Sequence, residues 1–459
     1  MNLKDNNLLR TGSYINGQWL TDELRFDVVD PAIGQVIATV AEVTQTQLEY
    51  AIVSAKIAQL DWAVKTSKSR AVILMRWFSL IMENQQDLAT LMTLEQGKPF
   101  KESLGEIAYA ASYIEWFAEQ GKRIYGDLIP APSTDRRLLA IKQPIGLVSA
   151  ITPWNYPSGM IARKAAPALA AGCSFIVKPS ELTPLSALAL AELADRAGIP
   201  HGLFNVVTGI DSKRIGAVLT THPMIRKFSF TGSTAVGKQL LAKCASTVKR
   251  SSMELGGNAA LIVFDDADLD VAVRGAMASK FRNAGQTCVC ANRIFVQTKI
   301  YDTFIEQLAS KIALLKVGNG FSDSTDIGPL INLTAINKVD QLVKDAVQSG
   351  ARLLLGGCVD PQSGHFYQPT LVVDVTMDMR IAKEEIFGPV ASIIPFETEQ
   401  QVIAMANATP FGLAGYFFTS DIARSWRVAE ALECGIVGVN EGVLTSVQAP
   451  FGGIKESGM

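Results

Sequence analysis

A chain of 459 residues, 48% hydrophobic and 19% charged, is long enough for about three cores of ordinary domain size, and its formal net charge of −2 gives no electrostatic case for nucleic acid or an anionic membrane. No apolar run is long enough to span a bilayer, and the N-terminal MNLKDNNLLRTGSYINGQW lacks the apolar centre and cleavage site of a secretory signal. Six cysteines without a C-x-x-C pair make no disulfide scaffold, and His201, His222 and His365 lie too far apart for ligand spacing, so a cytoplasmic, metal-free chain is expected.

Helical periodicity is read over most of the first 120 residues; AVILMRWFSLIMENQQDLATLMTLEQG (71–97) repeats apolar positions at three- and four-residue steps. YGDLIPAPSTDRRLLAIKQ (125–143) breaks that pattern with turn residues and then alternates, which reads as an extended arm. From 145 the rhythm becomes strand, turn, helix. IGLVSAI ends at TPWNYP and is followed by a helix-like SGMIARKAAPALAAG; CSFIVK is the next strand. Thr183 and Pro184 suit the N-cap and first position of the helix LSALALAELADRAG, with Gly198 at its stop. LFNVV and IRKFSF are two more strands, and AVGKQLLAKCA is a helix behind a glycine loop. This alternation predicts an α/β fold with a parallel sheet, whose ligands sit beyond the carboxyl ends of the strands. Residues 255–440 repeat the alternation less regularly as a second α/β domain.

The glycine loop, FTGSTAVGKQ (230–239), is one residue short of a P-loop: Gln239 stands where Ser or Thr would coordinate magnesium. It has no G-x-G-x-x-G fingerprint either. A tight strand-to-helix turn and an anion-facing helix start both fit it. At the end of CSFIVK stand Lys178, Ser180 and Glu181. An acid at that station commonly accepts ribose hydroxyls, a lysine and a hydroxyl can meet a 2′-phosphate, and Ser180 with Glu181 can also simply cap the next helix. Loop and strand end together favour a carried dinucleotide.

NAGQTC (283–288) and SSMELGGN (251–258) hold the candidate chemistry. A cysteine is a strong nucleophile as thiolate, a form favoured by positive neighbours or a helix start, and Glu254 could activate a water as general base. Taken singly, Cys288 reads equally as a packing residue and Glu254 as structural.

MELGGN, NAGQTC, TPWNYP, FTGSTAVG, KPSE and EIFGPV occur together in an order and spacing that resembles the aldehyde dehydrogenase superfamily, and within it the succinate-semialdehyde branch, from about residue 12 to the end. The resemblance implies a Rossmann-type cofactor domain (1–123 and 145–254), an α/β catalytic domain (255–440) and an oligomerisation arm (124–144). It implies Cys288 as nucleophile, Asn155 with the Cys288 backbone N–H as oxyanion hole, and Glu254 as base for thioester hydrolysis. Lys178, Ser180 and Glu181 would meet the adenosine ribose, Gly232 and Ser233 the pyrophosphate, Trp154 the channel, and Glu385 with Phe387 the nicotinamide ribose. Arg163, Arg282 and Ser446 would hold a substrate carboxylate, with succinate semialdehyde preferred and glutarate semialdehyde or a neutral aldehyde as alternatives. NADP is expected to serve better than NAD. Cys290 reads either as a partner for reversible oxidation with Cys288 or as a packing residue. Ala260 stands where the family more often has proline. The sequence ends at FGGIKESGM, before the strand that members of that family pair with the arm, so the expected homodimer or homotetramer would have an unpaired arm edge.

Overall fold

The computed structural model describes residues 3–21, 24–361 and 364–459. Two seven-stranded sheets organise it. In the first the order is Arg250–Glu254, Ile225–Thr231, Leu147–Ile151, Ser174–Lys178, Phe204–Val206, Ser13–Ile15, Gln18–Leu20. The five strands from 147 to 254 run parallel, and Ser13–Ile15 joins them antiparallel. Their near-continuous apolar runs match their burial, since helices cover both faces of a parallel sheet and leave no polar side. The first of these five strands in the chain, Leu147–Ile151, lies between the second and the fourth. The topology therefore reverses between Leu147–Ile151 and Ile225–Thr231, and a crevice opens there beyond the strand ends.

The second sheet runs Arg352–Leu355, Thr370–Val373, Val390–Phe396, Ala291–Gln297, Ala259–Val263, Ala414–Phe418, Ile436–Val439, parallel except for its first pair. Only four residues separate Glu254, the last residue of a first-sheet strand, from Ala259, the first of a second-sheet strand. The carboxyl ends of the first sheet thus face the amino ends of the second. Residues 457–459 return to this junction: Met459 exchanges backbone hydrogen bonds with Met253, and Ser457 accepts the Leu255 N–H at 2.9 Å.

The segment Asp127–Ile129 pairs antiparallel with Leu138–Ala140 as a hairpin, with Leu128 and Leu139 more than two-thirds exposed. Two expectations need correction, and a third holds with a different source for the capping bond. The described residues between 13 and 41 include four strands in place of the expected helix; in Arg25–Asp30 exposed and buried residues alternate strictly, the signature of a strand with one wet face. The long helical run breaks at Asn84, which caps Ser67–Glu83 and precedes Gln85–Gln96. Thr183 occupies the N-cap of Pro184–Arg196 but its hydroxyl makes no capping bond; the buried Glu95 carboxylate accepts the Leu185 and Ser186 N–H groups instead, at 2.7 and 2.8 Å.

Candidate active site between two cavities

Trp154 and Asn155 follow the strand Leu147–Ile151, and Gly232 and Ser233 follow its neighbour Ile225–Thr231, so both pairs flank the topological switch point. A cavity of about 560 Å³ opens there, lined by those four residues together with Cys288, Glu385 and Phe387. A second cavity, of about 300 Å³, lies on the other side of Cys288 and is lined by Arg163, Arg282, Glu102, Tyr109 and Thr445 among others. Cys288, Tyr156 and Met160 border both.

The loop that presents Cys288 is conformationally unusual. Asn283, Ala284 and Gly285 take left-handed backbone angles in succession, with φ of 51°, 54° and 72°. Two of the three are not glycine, so surrounding structure must hold them there. A Cβ on Gly257 would lie 2.4 Å from the Cys288 carbonyl oxygen, which is why the Gly-Gly after Glu254 can pass so close to the nucleophile loop. The Asn155 Nδ2 donates to the Gln286 carbonyl at 2.9 Å, which places this amide beside the same loop.

The electrostatics do not favour the thiolate. Burial first, then the charges of Glu385 and Glu254, push the Cys288 thiol up to about 12, with Arg163 pulling the other way. Deprotonation therefore calls for a base, and Glu254 is close enough for its charge to oppose ionisation of the thiol. Burial pushes the Glu254 carboxyl up as well, against the charges of Lys164 and Arg163. Its Oε2 is buried and has no hydrogen-bond partner among the described residues, which leaves it open to a thiol proton or a water.

On the dinucleotide side, the Thr231 hydroxyl is buried without a partner among the described residues and borders the larger cavity. A Cβ on Gly232 would lie 2.5 Å from the Phe230 ring, so only glycine fits at the mouth of this helix. Ser233 caps the helix Thr234–Cys244, whose free N–H groups suit an anion. Glu385 accepts the Gly257 N–H at 3.1 Å and is pushed up to about 7 by burial. Phe387 sits at φ 57°, its ring edge-on to Trp154 at 5.6 Å. Cavity, glycine turn and unpaired hydroxyl fit a dinucleotide. Lys178, Ser180 and Glu181 sit together one strand away, bordering neither cavity: the Lys178 Nζ donates to Glu181 at 2.7 Å and the Ser180 hydroxyl accepts the Leu182 N–H at 3.3 Å. Lys238 is exposed and paired with Glu456 at 2.7 Å, so it does not serve the loop as a P-loop lysine would.

On the other side, Arg163 lies over the Phe451 ring at 4.2 Å and is held in the cavity wall by it. The Arg282 Nε is buried with no partner among the described residues. Ser446 does not join them: it is exposed, and its hydroxyl bonds to Gln448. Thr445, one residue earlier, lines the cavity in its place. In this irregular segment no periodicity tells which neighbour faces inward. Cys290 is buried, lines neither cavity, and its thiol points to the Lys280 and Ala291 carbonyls at 3.6 and 3.7 Å. Sequence reasoning missed Lys98, Glu102, Glu106 and Tyr156; only Tyr156, inside TPWNYP, carried a local signal.

A thiol shared by two cavities, a half-buried carboxylate near enough for its charge to act on that thiol and a glycine turn at a strand switch point define a dehydrogenase that works on a carbonyl. The chain belongs to the aldehyde dehydrogenase family, whose sequence profile matches residues 19–459, and it is an NAD(P)-dependent aldehyde dehydrogenase. It is 55% identical to the NADP(+) succinate-semialdehyde dehydrogenase GabD of Escherichia coli strain K12, over all of this chain and 95% of that protein. It is likewise 55% identical, with the same coverage, to a glutarate-semialdehyde dehydrogenase of Pseudomonas putida. The crystal structure of an Escherichia coli NADP-dependent enzyme superposes with a TM-score of 0.99 over all of this chain and 95% of that one.

Proposed function

We propose that the enzyme oxidises succinate semialdehyde to succinate, with NADP preferred to NAD and glutarate semialdehyde as a second substrate. The observation that carries this reading is the position of Cys288 in the wall shared by the glycine-turn cavity and a cavity holding two arginines without carboxylate partners at ion-pair distance among the described residues. Arginine suits bidentate capture of a carboxylate, and an ω-carboxylate gripped by Arg163 and Arg282 leaves the aldehyde end of a short chain at the sulfur. A pocket separates substrates one methylene apart by only about 1–3 kcal/mol, so the longer semialdehyde is accepted.

In this mechanism Glu254 takes the thiol proton as the Cys288 sulfur bonds to the carbonyl carbon. The oxyanion that forms accepts hydrogen bonds from the Asn155 amide and the Cys288 backbone N–H. A nicotinamide cofactor, when bound, would supply the hydride acceptor for this tetrahedral carbon, which Cys288 would then hold as a thioester. Once Glu254 has lost the thiol proton to solvent it removes a proton from water, the water oxygen bonds to the acyl carbon, and the carbon–sulfur bond breaks to release the acid and the Cys288 thiolate, which takes the proton back from Glu254. Trp154, Gly232, Ser233, Glu385 and Phe387 would hold the cofactor from the pyrophosphate to the nicotinamide ribose. Lys178 and Ser180 would donate to a 2′-phosphate, with Glu181 drawn onto Lys178. Residues 1–123 and 145–254 then form the cofactor domain, 255–440 the catalytic domain, and the exposed hairpin in 124–144 the arm of a homo-oligomer.

The test follows reduced-cofactor absorbance with succinate semialdehyde, comparing NADP with NAD and wild type with Cys288→Ser. Faster turnover with NADP and a loss of at least about 10⁴-fold in the variant are expected, on the scale of nucleophile removal in other covalent enzymes. Retained turnover in Cys288→Ser would remove the mechanism, and no turnover with this aldehyde would remove the substrate.

A further inference from the structure

Resting on the reading of Asn155 as oxyanion donor, we propose that Lys98, ion-paired with Glu106, is a positioning residue that holds Asn155 in its donating geometry. Lys98 follows the helix Gln85–Gln96, and both partners of the pair have side chains only 1% exposed. The Lys98 Nζ donates to Glu106 Oε2 at 2.5 Å and to the backbone carbonyl of Asn155 at 2.8 Å, and it lies 4.2 Å from the ring centroid of Tyr156. The other Glu106 oxygen accepts the N–H groups of Ser158 and Gly159 at 3.0 and 3.1 Å, at the start of the helix Gly159–Ala170. One ion pair thus grips the segment 155–159 at both ends.

A second grip comes from the nucleophile loop. The Asn283 Nδ2 donates to the same Asn155 carbonyl at 3.0 Å. Asn283 is in turn oriented by Gln96, whose Nε2 donates to its Oδ1 at 3.0 Å, and by Glu102, which accepts its backbone N–H at 2.8 Å. Residues 96 to 106 therefore hold the oxyanion donor and the loop of Cys288 from one side, through hydrogen bonds to the backbone and amide groups that set their separation. A buried ion pair is a weak stabiliser of a fold, because desolvation offsets its attraction. What this pair does supply is fixed direction: an ammonium held by a carboxylate, a carbonyl and a ring face has no other place to go. Displacement of a reacting group by about 1 Å can cost about 10²-fold in rate.

Lys98→Met alone strands a buried carboxylate and could unfold the chain, so the test uses Lys98→Met with Glu106→Gln, which keeps an acceptor for the Ser158 and Gly159 N–H groups. The expected result is a fall in kcat of about 30- to 100-fold, with KM for aldehyde and for cofactor, and the rate of Cys288 alkylation by iodoacetamide, all within about threefold of wild type. In an Asn155→Ala background the same pair of substitutions should cause no further fall, because both act on one step. A kcat within about threefold of wild type, or an equal fall in both backgrounds, would overturn the proposal. So would a parallel loss of alkylation and cofactor binding, which marks a purely structural pair, or a KM rise confined to anionic aldehydes, which marks Lys98 as a substrate ligand. Full activity in Asn155→Ala alone would instead remove the oxyanion assignment on which the proposal stands.

Discussion

The two cavities that meet at Cys288 are built by different means. The larger is made where two sheet neighbours end: its walls come from the turns after Leu147–Ile151 and Ile225–Thr231 and from short segments leading into the second sheet. The smaller is made by helices and loops far apart in the chain, and it carries Lys98, Glu102, Glu106, Arg163 and Arg282 at its walls. One side thus offers glycine turns and a helix start to a large ligand, and the other offers fixed charges to a small one. The thiol between them sits in a place that suits its neutral form and not the thiolate. Burial disfavours the thiolate, and the charges of Glu385 and Glu254 disfavour it further.

That contrast can be broken most severely at Glu254, the proposed base for both steps on the sulfur. Glu254→Gln should lower kcat by about 10²- to 10⁴-fold. Because burial raises the Glu254 carboxyl above the ordinary carboxylate range, the wild-type rate should fall as pH drops through that raised value, where the base becomes protonated. The variant should lose this acid limb. Its Cys288 should nevertheless alkylate at lower pH than in wild type, since one negative charge that raises the thiol has gone. Activity and thiol reactivity moving in the same direction would contradict the assignment.

A smaller effect separates the two sides of the sulfur. Arg282→Ala should raise KM for succinate semialdehyde by about 10- to 100-fold, the scale of losing about 1.5–3 kcal/mol of charged hydrogen bonding, and should leave KM for butanal and for the cofactor nearly unchanged. Arg163→Ala should show the same substrate effect plus a loss in kcat, because Arg163 also lowers the Cys288 thiol. Equal losses on the charged and neutral aldehydes would show that the arginines shape the cavity without reading the carboxylate.

The same contrast governs how legible each side is in the amino-acid sequence. Trp154, Asn155, Gly232 and Ser233 stand at strand ends, where the switch from apolar run to turn is local and visible in a few residues. Cys288, Glu254 and Glu385 are marked by the motifs that contain them. The arginine side is less legible. Thr445 and its exposed neighbour Ser446 differ by one position in an irregular segment, and only tertiary contact decides which faces the cavity. Lys98 and Glu106 join the end of one helix to the start of another 57 residues on, counted from Lys98 to Asn155, and no local pattern marks such a pair. The charge state of Cys288 is hidden for a related reason: burial and distant carboxylates set it, and neither is written near NAGQTC.

The central claim is a covalent bond between the aldehyde carbon and the Cys288 sulfur. It is tested by mixing Glu254→Gln with succinate semialdehyde and NADP, quenching in acid within the first turnover, and mapping the digest by mass spectrometry. A succinyl thioester on the peptide bearing Cys288, formed with one equivalent of reduced cofactor, is the predicted result. Cofactor reduction with no acyl group on that cysteine would contradict the account.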